Sequence, residues 1–150
     1  MRLAIDFDGT LVRADRPYDD TTTPLEFLPG AREALLAFKA AGHVLLLYSA
    51  RSNRALLFTP EHDPLVRAGA RRVHQAAWEA SREVNWARYR QMMEFVEREL
   101  PGVFDAIDDG LQGKPCVDLF IDDRAITYAP RTGGYSWPLL AQMYGAPVSP

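Results

Sequence analysis

Two carboxylates stand two residues apart near the start of the chain, Asp6 and Asp8 in the string Leu3-Ala4-Ile5-Asp6-Phe7-Asp8-Gly9-Thr10-Leu11-Val12. Side chains at i and i+2 of a strand point to the same face, so a strand ending here would present both acids together. Paired acids at the tip of a buried strand repel each other unless a cation or a catalytic task holds them there. Gly9 allows a sharp turn directly after the second acid. A second pair, Asp122 and Asp123, follows another apolar run, Leu119-Phe120-Ile121. Acids from two strand ends, with no His or Cys cluster, point to magnesium rather than zinc. His43, His62 and His74 show no metal-ligand spacing, so each is expected to be passive.

The string from Asp6 to Val12 resembles the first motif of the haloacid dehalogenase superfamily, in its phosphatase branch. Three further segments resemble that family's motifs in the same order. His43-Val44-Leu45-Leu46-Leu47-Tyr48-Ser49-Ala50-Arg51 is similar to the second, a strand ending in Ser or Thr. Gly113-Lys114-Pro115 supplies the Lys of the third, and Asp118-Leu119-Phe120-Ile121-Asp122-Asp123-Arg124 is similar to the fourth. Each string alone is a weak signal; four in order, each tied to an apolar run, are a strong one.

The resemblance implies a three-layer, Rossmann-like α/β fold with a central, mostly parallel sheet. It also implies a phosphomonoester hydrolase that works through an aspartyl-phosphate. Asp6 would be the nucleophile, splitting one hard step into two. Magnesium would be held by Asp6, the backbone carbonyl of Asp8, and Asp122, with Asp123 as an outer ligand. Lys114 and the cation would offset the charge of two anions approaching each other. Asp8 would act as general acid and then base, a task that a dehalogenase does not need because halide leaves unprotonated. Ser49, with backbone N–H groups around Ala50, would hold a phosphoryl oxygen. Arg51 could bind the substrate phosphate as a bidentate donor, its ordinary alternative being a surface salt bridge.

About 43 residues separate Asp6 from Ser49, and Lys114 lies eight residues before Asp122, so neither interval holds a large cap domain. The chain therefore resembles small capless bacterial and phage phosphatases. A contrasting reading is a binding or scaffolding domain that keeps this fold without turnover. The substrate class stays open among a phosphorylated small molecule, a nucleotide and the phosphate end of a polynucleotide.

At 150 residues the chain can form one domain with a proper core. Its apolar runs reach about five residues, far short of a membrane span, and none resembles a signal peptide. The single cysteine, Cys116, cannot form an internal disulfide, which suits a reducing cytoplasm; it is expected to be a packing residue. Residues 51–90 hold eight Arg and four acids, a balance of +4 in a chain whose net charge is −3. That basic segment could attract anionic substrates or, equally, form a solvated helical face.

Apolar runs alternating with helical stretches predict βαβ units. Strands are expected at Leu3–Phe7, Val44–Tyr48, Val103–Ile107 and Val117–Ile121. A flap loop falls at about 12–29, with Arg13–Pro24 its polar part. A helix over Ala31–Ala41 would bury Ala34, Leu35 and Phe38 and stop at Gly42. An irregular basic insert at about 52–85 contains a short helix from Asp63-Pro64 to about Val73. A longer helix from Asn85 to Leu100 would bury Trp86, Tyr89, Met93, Val96 and Leu100. A short helix is expected near Trp137–Tyr144. An open site would be shaped by the flap, the basic segment or a second subunit of a homo-oligomer.

Overall fold

The first strand, β1 (Arg2–Ile5), is central because its residues Leu3, Ala4 and Ile5 are apolar on both faces and buried on both. The structure, a computed structural model, describes residues 1–53, 57, 75–110, 114–123, 142 and 145; from 75 to 80 it describes the backbone only. Strand β1 pairs in parallel with β2 (Val44–Leu47) on one side and with β4 (Leu119–Ile121) on the other. A two-residue strand, β3 (Ala106–Ile107), extends the sheet beyond β2, giving the order β3-β2-β1-β4. All pairings are parallel, so the fold is α/β, with no sign of a large cap among the described residues.

Helix α1 (Ala31–Ala40) connects β1 to β2 and buries Ala31, Ala34, Leu35 and Phe38. Its end is set by Gly42 at φ 80°, where the Gly42 N–H donates to the Lys39 carbonyl (3.0 Å) and the His43 N–H to the Phe38 carbonyl (3.1 Å). This satisfies carbonyls that the helix end would otherwise orphan. His43 is buried beside Phe38 and its Nδ1 lies 3.2 Å from the amino group of Met1, a packing role.

Helix α2 (Gln75–Glu99) begins ten residues before the expected start, so residues 75–85, read as irregular, are helical. Its buried face also differs from the expected stripe. Asn85, Met92, Phe95, Val96 and Leu100 are buried, while Trp86 is half-buried against Tyr89. Phe95 packs edge-on to Phe7 (6.0 Å) and against Phe27 (4.7 Å), joining the helix to both β1 and the flap. Each such ring removed from water contributes roughly 2–3 kcal/mol.

The strands are shorter than expected: β1 stops at Ile5, β3 omits 103–105 and β4 begins at Leu119. Cys116 is exposed rather than packed, its Sγ 3.9 Å from the Arg2 guanidinium. The expected helices over 63–73 and 137–144 lie outside the described residues. So do Arg54, His62, Arg67, Arg71, Arg72, His74, Gly113 and Arg124. Among the described residues, no helix is long and apolar enough to cross a membrane.

Candidate functional site

Strand register brings the acids together. Ile5 pairs with Ile121, so the next residue on each strand, Asp6 and Asp122, emerges side by side from the sheet. The Asp6 N–H donates to the Ile121 carbonyl at 2.9 Å, continuing the ladder by one step. On the other side the Tyr48 N–H donates to the Ile5 carbonyl at 2.8 Å, which delivers Ser49 to the same edge. This edge is where the carboxyl ends of parallel strands leave their ligand sites.

Carboxylate oxygens of Asp6, Asp122 and Asp123 all lie within 4.8 Å of one another. Asp6 is pushed up to about 7, chiefly by burial and further by the charges of Asp122, Asp8 and Asp123, against the opposing hydrogen bond from the Phe7 N–H. Thr10 ties the group together: its hydroxyl donates to Asp6 Oδ2 (3.3 Å) and accepts from the Asp123 N–H (2.8 Å). Gly9, at φ 80°, lets the chain pass so near that a Cβ there would lie 2.7 Å from Asp123 Oδ2.

Asp8 lines the same cleft, but its carboxylate belongs to a different cluster. Because β1 ends at Ile5, the alternation expected for Asp6 and Asp8 does not apply; the chain turns, with Leu11 and Val12 both donating to the Phe7 carbonyl. Arg51 grips Asp8 with two parallel bonds, Nη2 to Oδ1 at 2.6 Å and Nε to Oδ2 at 2.7 Å. Arg88, from α2, adds Nη2 to Oδ2 at 3.2 Å. Side-chain exposure is 6% for Arg51, 14% for Arg88 and 28% for Asp8, so this is a half-buried ionic cluster rather than a surface bridge. The Arg88 guanidinium is held below its usual range, first by burial and then by its neighbour Arg51.

Ser49 is buried, and its hydroxyl accepts from the Arg51 N–H at 3.2 Å, capping the short turn Ala50–Ser52. Ala50 and Ser49 line the cleft with Asp6. Lys114 lines it from the opposite loop, its Nζ 4.5 Å above the Phe120 ring. The structure therefore gathers Asp6, Asp8, Ser49, Ala50, Lys114, Asp122 and Asp123 around one cleft, with Arg51 behind Asp8.

Sequence reasoning missed Tyr18, Asn85, Arg88, Gln91 and Asp108. Tyr18 comes from the flap; its ring lies 4.3 Å from the Arg88 guanidinium and its hydroxyl donates to Asn85 Oδ1. Arg88 Nη1 donates to the Tyr18 carbonyl (2.9 Å), and Gln91 Nε2 to the carbonyls of Thr21 (3.2 Å) and Thr23 (2.9 Å). These bonds pin the flap to α2 at the cleft, which Tyr18 and Arg88 line with the acids. Asp108, just past β3, lines the cleft and is pushed up mainly by burial. The available signal was spacing: Asn85, Arg88, Met92 and Phe95 recur at 3, 4 and 3, polar residues continuing a buried face.

No protein-family profile matches the chain, and no curated protein is significantly similar to it. A solved structure, that of a conserved protein coded by a locus from Bacteroides thetaiotaomicron, is similar over 95% of this chain and 88% of its own. It shows 26% sequence identity and a TM-score of 0.47.

Proposed function

We propose that this chain is a magnesium-dependent phosphomonoester hydrolase acting through an aspartyl-phosphate on Asp6. The observation that carries the reading is the grouping of Asp6, Asp122 and Asp123 at adjacent strand ends, in a cleft that also holds Lys114. The proton affinity of Asp6 is raised chiefly by burial and further by its neighbouring carboxylates, and a cation bound there would stabilise the ionised group. Hard oxygen donors without His or Cys suit magnesium. The residues present thus fit the ion: Asp6, Asp122 and Asp123 would hold it by carboxylate, and Asp8 by its backbone carbonyl. Bound there, it would supply positive charge to the phosphoryl oxygens.

In this reading Asp6 attacks phosphorus and Ser49 and Lys114 hold the phosphoryl oxygens. Asp8 gives a proton to the departing oxygen, then takes one from the attacking water as it releases phosphate from Asp6. With both Asp8 oxygens held by Arg51 and Arg88, proton donation requires a guanidinium to be drawn off, and the 3.2 Å contact of Arg88 is the looser one.

Hydrolysis of 4-nitrophenyl phosphate with and without magnesium tests the reading. EDTA should remove activity and magnesium restore it. Asp6→Asn should abolish turnover, Asp8→Asn should slow it by about 10² or more, and beryllium fluoride with magnesium should mark Asp6. Full activity in Asp6→Asn, or restoration by zinc alone, would overturn it.

A further inference from the structure

Beside the acid cluster lies a recess lined by Asp8, Tyr18, Ala50, Arg51, Asn85 and Arg88. Its charge does not balance. Among the described residues, Arg51 and Arg88 share a single carboxylate, Asp8, and form no other ion pair. The remaining hydrogen bonds of the two guanidiniums go to neutral acceptors: the Arg88 carbonyl, Gln91 Oε1 and the Tyr18 carbonyl. Among the described residues, two largely buried cations thus face one paired anion, an excess of one positive charge in this recess. Desolvated cations of this kind are costly unless an anion meets them.

The recess also has a defined position. It opens beside Asp8, the group that would protonate the leaving oxygen, and Asp8, Tyr18, Ala50 and Arg88 line both it and the main cleft. A ligand reaching into it from Asp6 therefore does so with its leaving-group side, not with the phosphoryl group that Asp6 attacks. Tyr18 forms one wall and stays about half exposed, and the recess, about 40 Å³, adjoins the main cleft at the residues that line both.

Resting on the phosphatase reading, we propose that Arg88, with Arg51 and Tyr18, forms a subsite for a second anionic group carried by the leaving-group side of the substrate. A carboxylate or a second phosphate meets the same chemistry: a planar guanidinium that offers paired N–H donors. Such an anion would take Arg88 in exchange for its contact with Asp8. The subsite thereby selects monoesters bearing two anionic groups over those with a neutral body.

Binding measured by calorimetry in an Asp6→Asn background tests this without turnover. Three ligands serve: 3-phosphoglycerate for the carboxylate, a nucleoside 3′,5′-bisphosphate for the second phosphate, and 4-nitrophenyl phosphate for a neutral body. At least one doubly anionic ligand should bind about tenfold or more tighter than 4-nitrophenyl phosphate, a difference on the scale of one charge-assisted contact. Arg88→Gln should erase that preference and change 4-nitrophenyl phosphate binding less than about threefold. Arg88→Lys, which keeps the charge but not the paired donors, should retain only part of it, and so separates lost charge from lost folding. Equal weakening of all three ligands, or no preference with Arg88 in place, would overturn the subsite. A preference that depends on Arg88 in a chain that hydrolyses no phosphate ester would keep the subsite and overturn the phosphatase reading. Turnover without the preference would do the reverse.

Discussion

Replacing Asp6 with Asn should stabilise the metal-free protein at pH 8, although it removes the proposed nucleophile. Folding moves the Asp6 carboxyl from the ordinary 3.8 to about 7. A raised carboxyl means that the native state keeps its proton where the unfolded state has lost it. Stability therefore falls as pH rises from about 4 through 7, and the whole penalty is present above that. Each tenfold change in proton affinity is worth about 1.4 kcal/mol. Taken whole, the change is about 4 kcal/mol; partial solvent access lowers it to roughly 2–4 kcal/mol. For a chain of this size that is a gain of about 5–15 °C in Tm. Asn keeps the shape and an oxygen that can accept from the Thr10 hydroxyl, so little else is lost. Thermal unfolding of both proteins in EDTA at pH 5 and pH 8 measures the gap, which should widen with pH. Magnesium should then stabilise the wild type more than the variant, because it offsets the same charge. A variant no more stable than wild type at pH 8, or a gap unchanged between the two pH values, would refute the account of the cluster.

Gly9→Ala should cost about 1–3 kcal/mol, since a side chain is disfavoured at φ 80° and its Cβ would press on Asp123. Denaturant unfolding reads that loss, and a magnesium titration should show weaker binding as Asp123 is displaced. Phe95→Ala should cost about 3–5 kcal/mol in the same assay by opening a cavity between Phe7 and Phe27. Asp105 accepts from Lys39 Nζ (2.6 Å) and from the Leu45 N–H (2.8 Å), and these bonds hold its carboxyl below the usual range. A lowered carboxyl stabilises the fold above the ordinary carboxylate range and loses that contribution as pH falls through its folded value. Asp105→Asn should therefore lower Tm at pH 7 and make little difference near pH 2; an equal loss at both would mean that the charge is not what matters.

The acids were readable in the sequence because a parallel sheet converts sequence position into spatial position. An apolar run of known direction ends at a known edge, so Asp6, Ser49 and Asp122 could be set at one edge of a sheet; that their strands are neighbours is read from the pairing of β1 with β2 and β4. Glycine sharpened the reading, because Gly9 and Gly42 stand where positive φ is needed. The same logic misplaced details that depend on where a strand stops. Asp8 was read as if β1 continued to Phe7, and the chain instead turns after Ile5, sending its carboxylate to Arg51.

Arg88 was hidden for a different reason. Hydrophobic periodicity identifies an inward face only where the interior is apolar. Helix α2 packs Met92, Phe95, Val96 and Leu100 on the core, but its preceding turns pass over a cleft of carboxylates and a polar flap. There the inward face must itself be polar to satisfy what lies beneath it, and Asn85, Arg88 and Gln91 do so. An apolar count steps past them to Trp86 and Tyr89, one residue round the helix, and leaves the site-facing arginine undistinguished within the basic segment 51–90. The same crossing gives a chain without a large cap among its described residues a wall beside its acids, since Tyr18 and Arg88 line the cleft with them. The flap is closed by bonds from α2 to Tyr18, Thr21 and Thr23, so α2 and the flap together supply the wall on the leaving-group side.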